Sequence, residues 1–318
     1  MRRSARDRVR KKKIASTLWI SSYGEHSMER DLWRSIVASI RRLPRRRPRG
    51  AVYTNRQIVA VQLWAALHDR PTSWACRGDS WPPSAWRRTL PDQSTMSRRL
   101  REPAIRDDLD TIRRDLERAL PAGHRLLADG KALPLSDRSR DPDAATGWAS
   151  SGFEHGYKLH AVIDDRHRVV GWALRPMNDA ECTVARGIIG RAEIPGSTRT
   201  MLADAGFDSV PLYEACAARG VRLTARRRKP GRGFADRGRH PDRVRAARLL
   251  EGRSDLTRRA FARARWSVER FFARLTVAGT GLGELPPWVR GLRRVELWVA
   301  AKLVVNAARI ALTQTTDA

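Results

Sequence analysis

Between Arg125 and Ala225 the chain carries short apolar runs of strand length separated by two stretches with helix boundaries. No other feature limits the fold as much. "RLLADG" (125–130) and "RTMLAD" (199–204) are buried-strand candidates, each leading into an aspartate followed by small residues. "YKLHAVIDD" and "RVVGWALRP" alternate apolar and polar residues around a turn at 164–167, the pattern of a β-hairpin. "NDAE" reads as the cap of a helix through Val184, Ile188 and Ile189. "DSVPLYEACAARG" opens with Ser209 and Pro211 and closes on Gly220, and "VRLTA" is a fifth strand. Three strands, then helix, strand, helix, strand and helix, predict an α/β domain on a mixed sheet. Residues 122–318 are assigned to it.

Upstream the pattern is helical. "TNRQ" offers a capping box through Thr54 and Gln57 ahead of the apolar residues Ile58, Val61, Leu63, Trp64 and Leu67. In "LPDQSTMSRRLR" Asp92 or Ser94 can cap a short helix, with Met96 and Leu100 on one side and Arg98 nearby. Polar residues at a helix start followed by arginines are what a major-groove reader needs, so Ser94, Thr95 and Arg98 are candidate DNA contacts and 51–121 a helical DNA-binding region. Residues 1–50, with the proline-broken "RRLPRRRPRG", read as a basic, disordered arm.

The charge supports that assignment. Lys and Arg number 63 against 34 Asp and Glu, a formal charge of +29 over 318 residues, which calls for a polyanionic partner. A second basic cluster, Arg226, Arg227, Arg228 and Lys229, follows the fifth strand and is a candidate phosphate clamp, the alternative being a solvated loop. Three cysteines without zinc spacing point to a reducing cytosol. The first residues lack the apolar run and cleavage site of a secretory signal, and "VELWVAAKLVVNAARIAL" is too polar to span a membrane. That last segment is expected as a buried helix. His155, His160 and His167 read as surface or packing residues.

Strand ends are where open α/β sheets gather ligands, so Asp129 and Asp204 on neighbouring strands would share one spot. Two close carboxylates raise each other's pKa unless a cation neutralises them, and hard oxygen donors suit Mg²⁺ or Mn²⁺. "AFARARWSVERFFARLT" supplies an amphipathic helix on which Arg265 and Glu269 are one turn apart.

"LLADGKAL", "GFEHGYKLHAVID", "LADAGFDS" and "RARWSVERFFARL", in that order, resemble the catalytic core of DDE transposases of bacterial insertion sequences, which have a ribonuclease-H-like fold. The resemblance extends upstream through "LWAALHDRPTSWAC" and "LPDQSTMSRRLR". It implies Asp129, Asp204 and Glu269 as catalytic residues and ligands of two Mg²⁺ ions, with Mn²⁺ as substitute. It also implies Arg265 as a support, and cleavage of element ends followed by strand transfer into target DNA by a homodimer. Lys158 either touches DNA or is a strand-edge lysine. The family's helix signature has Tyr and Lys where this chain has Ala262 and Thr276. Two other readings therefore stay open: a nuclease of the same fold, or a degraded or recruited DNA-binding protein that does not cut. A bacterial-type transposase of this kind is expected in the cytoplasm, at the nucleoid.

Overall fold

The computed structural model describes residues 22–82, 89–136, 139–149, 152–229, 239–251, 255–276 and 281–316. Six strands form one mixed sheet: β1 (Arg125–Pro134), β2 (Ala145–Ala149), β3 (Gly152–Asp164), β4 (Val169–Pro176), β5 (Thr200–Ala203) and β6 (Arg222–Ala225). β3 pairs antiparallel with β1 along one edge, from Leu126↔Asp164 to Pro134↔Gly156. Its other edge is shared, β2 taking residues 152–156 and β4 residues 157–163. β5 lies parallel to β1, and β6 parallel to β5. Four strands in antiparallel pairing (β2 and β4 on β3, and β3 on β1) followed by the parallel β5 and β6, with helices on both faces, give the expected ribonuclease-H-like architecture.

The expected turn is held by Asp164. Its fully buried carboxylate accepts from the backbone N–H groups of Gly123, Arg166 and Arg168, and His167 beside it adopts a positive φ of 69°. β2 is not foreshadowed by the sequence pattern. Its Trp148 is 68% exposed and lies tilted against Phe153 of β3, so it carries no buried alternation that would mark a strand.

Strand alternation divides the core. Leu126, Ala128, Val162, Met201 and Leu223 face helices α6 (Glu181–Arg191) and α7 (Val210–Ala218). Leu127, Leu133, Tyr157, Leu159 and Ile163 face the other way, into one core shared with α1 (Ser22–Arg42), α2 (Asn55–Leu67), α5 (Pro103–Glu117), α10 (Leu292–Thr316) and the helix 255–276 that lies on β1. α10 is the buried helix expected from 295–312. Its Lys302 is fully buried, with Nζ donating to Ala66 O and Asp69 at the end of α2. One apolar core thus runs from Leu32 to Ala308, across the boundary expected at 121.

α1 corrects the reading of 1–50 as a disordered arm. Leu32, Trp33, Ile36 and Ile40 lie on one helical face and are buried, each worth roughly 1.5–3 kcal/mol of burial. That offsets the ordering of a helix whose other side is arginine-rich. Residues 1–21 lie outside the described residues.

Candidate active site

β1 does not end at Asp129 as expected. It continues to Pro134 because β3 is long enough to pair with all of it. β5, by contrast, stops at Ala203, so beyond Leu127↔Leu202 the edge of β1 is open. Extending that register brings Asp204 level with Asp129 where the parallel pairing gives out, close enough for its charge to act on the Asp129 carboxyl. Asp204 caps a 3-10 turn (Ala205–Phe207), its Oδ1 accepting from Gly206 N at 2.8 Å. Asp129 Oδ1 accepts from Gly130 N, also at 2.8 Å. Burial pushes the Asp129 carboxyl up to about 6; the Gly130 N–H and Arg265 oppose that rise, while Asp204 and Glu181 add to it.

Helix α9 (Asp255–Thr276) packs against β1 and β5 through Phe261, Val268, Phe271 and Leu275. Arg265 extends from it to Asp129, Nη2 to Oδ2 at 3.4 Å. Glu269 is one turn further along and exposed. Thr276, where the family has Lys, donates to Ala273 O of its own helix. The helix is pinned to the β3–β4 turn by His167, whose Nδ1 accepts from Arg274 and whose Nε2 donates to Ser267 Oγ, both at 2.9 Å. Of the two roles the sequence leaves to His167, surface or packing, the structure selects packing: it is a buried lock.

The residue that sequence reasoning misses is Glu181. In the first turn of α6 it reads as a capping acid, but it pairs with Lys158 at 3.1 Å and does not cap. Lys158, on β3, is therefore neither a free edge lysine nor open to solvent. A carboxylate opening the helix that follows the hairpin is the signal the sequence offers.

The basic cluster divides. Arg227 is turned inward onto Glu251 of α8 (Pro241–Glu251), with both guanidinium arms engaged. Arg226 is exposed, its guanidinium 5.7 Å from the Phe261 ring, and Lys229 is exposed. Arg228 reaches the turn after Asp204, donating to Ala205 O at 3.2 Å and Gly206 O at 2.7 Å. In the other region, α4 (Gln93–Arg99) follows the short α3 (Thr72–Ala75). Asp92 caps α4, accepting from Thr95 N and from Ser94 Oγ. Ser94 and Arg98 are exposed, whereas Arg99 is buried on Tyr53 O and Asn55.

The fold and the paired aspartates find their counterpart among known families: the transposase DDE domain matches residues 107–305, more than half of the chain. The chain belongs to this family. Family membership carries a transposase-type function, DNA as partner and, in general, the use of divalent metal ions. No match was found among curated proteins. Among the described residues no helix is long and apolar enough to cross a membrane.

The donors present fit such an ion. Asp129, Asp204 and Glu181 offer only carboxylate oxygens; burial is the main cause of the raised Asp129 carboxyl, and the Asp204 and Glu181 charges that add to it are what a dication relieves. Among the described residues no three acid, histidine or cysteine side chains are already drawn together around one point.

Proposed function

We propose that the chain is a DNA transposase that cuts DNA strands at element ends and transfers them into target DNA. Asp129, Asp204 and Glu269 would hold two Mg²⁺ ions, or Mn²⁺ in their place. The observation carrying this reading is the pair of aspartates level with each other where β5 leaves the edge of β1 open, with α9 tied to Asp129 by Arg265. When bound, the ions supply an acidified water and charge neutralisation for in-line displacement at phosphorus. The chain's own part is to orient and neutralise. The Gly130 and Gly206 N–H groups fix one oxygen of each aspartate, and the second oxygen of Asp129 is held by Arg265. Arg265 neutralises Asp129 in the metal-free protein and would contact the scissile phosphate once an ion takes its place. Arg226, Arg228 and Lys229 flank the same edge and would track the DNA backbone. Glu269 must swing or draw in with α9 to join the aspartates, a movement of one exposed side chain.

In this reading residues 51–121, with Ser94, Thr95 and Arg98 of α4, recognise the element end, residues 122–318 carry the chemistry, and the protein acts as a homodimer on DNA in the cytoplasm, at the nucleoid. A recruited DNA binder that no longer cuts is the second reading, favoured by Ala262 and Thr276 in place of the family's Tyr and Lys. Cleavage of a duplex bearing the element's end separates them. Asp129→Ala, Asp204→Ala or Glu269→Ala should each remove cutting in Mg²⁺ and in Mn²⁺ while binding persists. If wild type binds and does not cut with either ion, the second reading holds. If Asp204→Ala cuts normally, the site has been misassigned.

A further inference from the structure

Two glycines follow the two aspartates, and both make room for the same side chain. A Cβ at Gly206 would stand 2.6 Å from Glu181 Oε2 and 3.1 Å from Asp204 Oδ1. A Cβ at Gly130 would stand 3.0 Å from Glu181 Oε1 and 3.0 Å from Lys158 Cδ. Neither glycine has the positive φ that would otherwise explain it. The space they leave holds the Glu181 carboxylate, which comes over the open edge of β1 from the α6 face while Asp129 comes from the α9 face.

We propose that Glu181 is a fourth carboxylate of the cation site and that the Lys158 ammonium occupies the cation's place until one binds. The inference rests on the reading of Asp129 and Asp204 as cation ligands. An ordinary structural ion pair would account for the Lys158 pairing, but not for its setting. Side-chain exposures of 12% for Lys158 and 22% for Glu181 put the pair largely out of water, where two charges repay desolvation poorly. A Cβ at Gly206 would touch both Glu181 Oε2 and Asp204 Oδ1, so the pair sits beside an aspartate of the site rather than apart from it. In the metal-free protein the three carboxylates are balanced by two cationic side chains, Lys158 on Glu181 and Arg265 on Asp129. A dication bound among the three would displace both. Glu181 would then coordinate through the oxygen facing Gly206, and Lys158 would be released towards the phosphodiester.

The test is Mn²⁺ binding to the full-length protein without DNA, followed by electron paramagnetic resonance of the free ion, on wild type, Glu181→Gln, Lys158→Met, the double variant and Asp204→Asn. Glu181→Gln should weaken binding about tenfold or more, in the range that loss of groups around a metal site produces. Lys158→Met should tighten it severalfold, because a competing charge has gone. The double variant should stay weak. Recovery of wild-type affinity in the double variant would mean that Glu181→Gln acted only by leaving Lys158 unpaired, and the proposal fails. Weaker binding by Lys158→Met would make Lys158 a structural support and would also overturn it. If Asp204→Asn weakens binding and Glu181→Gln does not, Glu181 is no ligand while the aspartate site stands. If neither weakens binding, the aspartate site itself is wrong.

Discussion

His167 should be the position at which stability and catalysis are most tightly joined. Its ring accepts a charge-assisted hydrogen bond from Arg274 and donates one to Ser267, both on the helix that carries Arg265 and Glu269. Loss of the first costs about 1.5–3 kcal/mol and loss of the second about 0.5–1.5 kcal/mol, so His167→Ala should destabilise the fold by several kcal/mol. A part of that is recoverable. With φ at 69° the residue stands in the left-handed region, which costs a side-chain-bearing residue on the order of 1 kcal/mol, so His167→Gly should be more stable than His167→Ala by about that amount. Burial first, and then Arg274 and Arg270, hold the imidazole well below its ordinary value, at about 4. The sign follows: the folded state binds this proton less readily than the unfolded state. The lock is therefore fully present above about pH 6.5 and fades as pH falls towards 4, by up to about 1.4 kcal/mol per pH unit. Urea unfolding of wild type, His167→Ala and His167→Gly at pH 7.5 and pH 5 measures all of this. Cleavage should drop in both variants more than DNA binding does. Equal stability of the Ala and Gly variants would refute the backbone argument, and a wild type-to-Ala difference that does not shrink at pH 5 would refute the neutral lock.

Other expectations concern DNA. Arg226→Ala with Arg228→Ala and Lys229→Ala should flatten the salt dependence of binding, by about 0.9 in the log–log slope for each phosphate no longer neutralised. Arg227→Ala should instead lower stability by about 1–3 kcal/mol, since its guanidinium is spent on Glu251; thermal unfolding beside a salt titration distinguishes the two outcomes. Substituting Ser94, Thr95 and Arg98 together should erase preference for the element's end in competition binding and leave affinity for random DNA, and equal losses on both would remove α4 as the reader.

What the sequence made legible was local. Apolar alternation and turn chemistry located β3, β4, β5 and β6, the Asp164–His167 turn and the Thr54 capping box, because each is decided within a few residues. What it hid was decided by distant partners. β1 runs past Asp129 only because β3 has residues to pair with it, and the Gly130 that resembles a strand end is a seat for Glu181. β2 exists because β4 leaves part of β3 unpaired. α1 is masked by Arg30, Arg34, Arg41 and Arg42, whose charges hide an apolar face that has meaning only beside α2, α5 and α10. Glu181 resembles any helix-start acid until the fold brings it over the edge of β1.

The core shared by the upstream helices and the sheet has a consequence for the DNA itself. α2, α5 and α10 interlock with Leu127, Tyr157 and Leu159 in one packed body, and Lys302 bolts α10 to the end of α2. A reading helix fixed to that body cannot slide relative to Asp129 and Asp204. In the proposed function the protein would then act as a calliper: the number of base pairs between the sequence read and the bond broken would be set by the molecule, and inserting a single pair between them, about a tenth of a helical turn, would present the wrong phosphate to the aspartates.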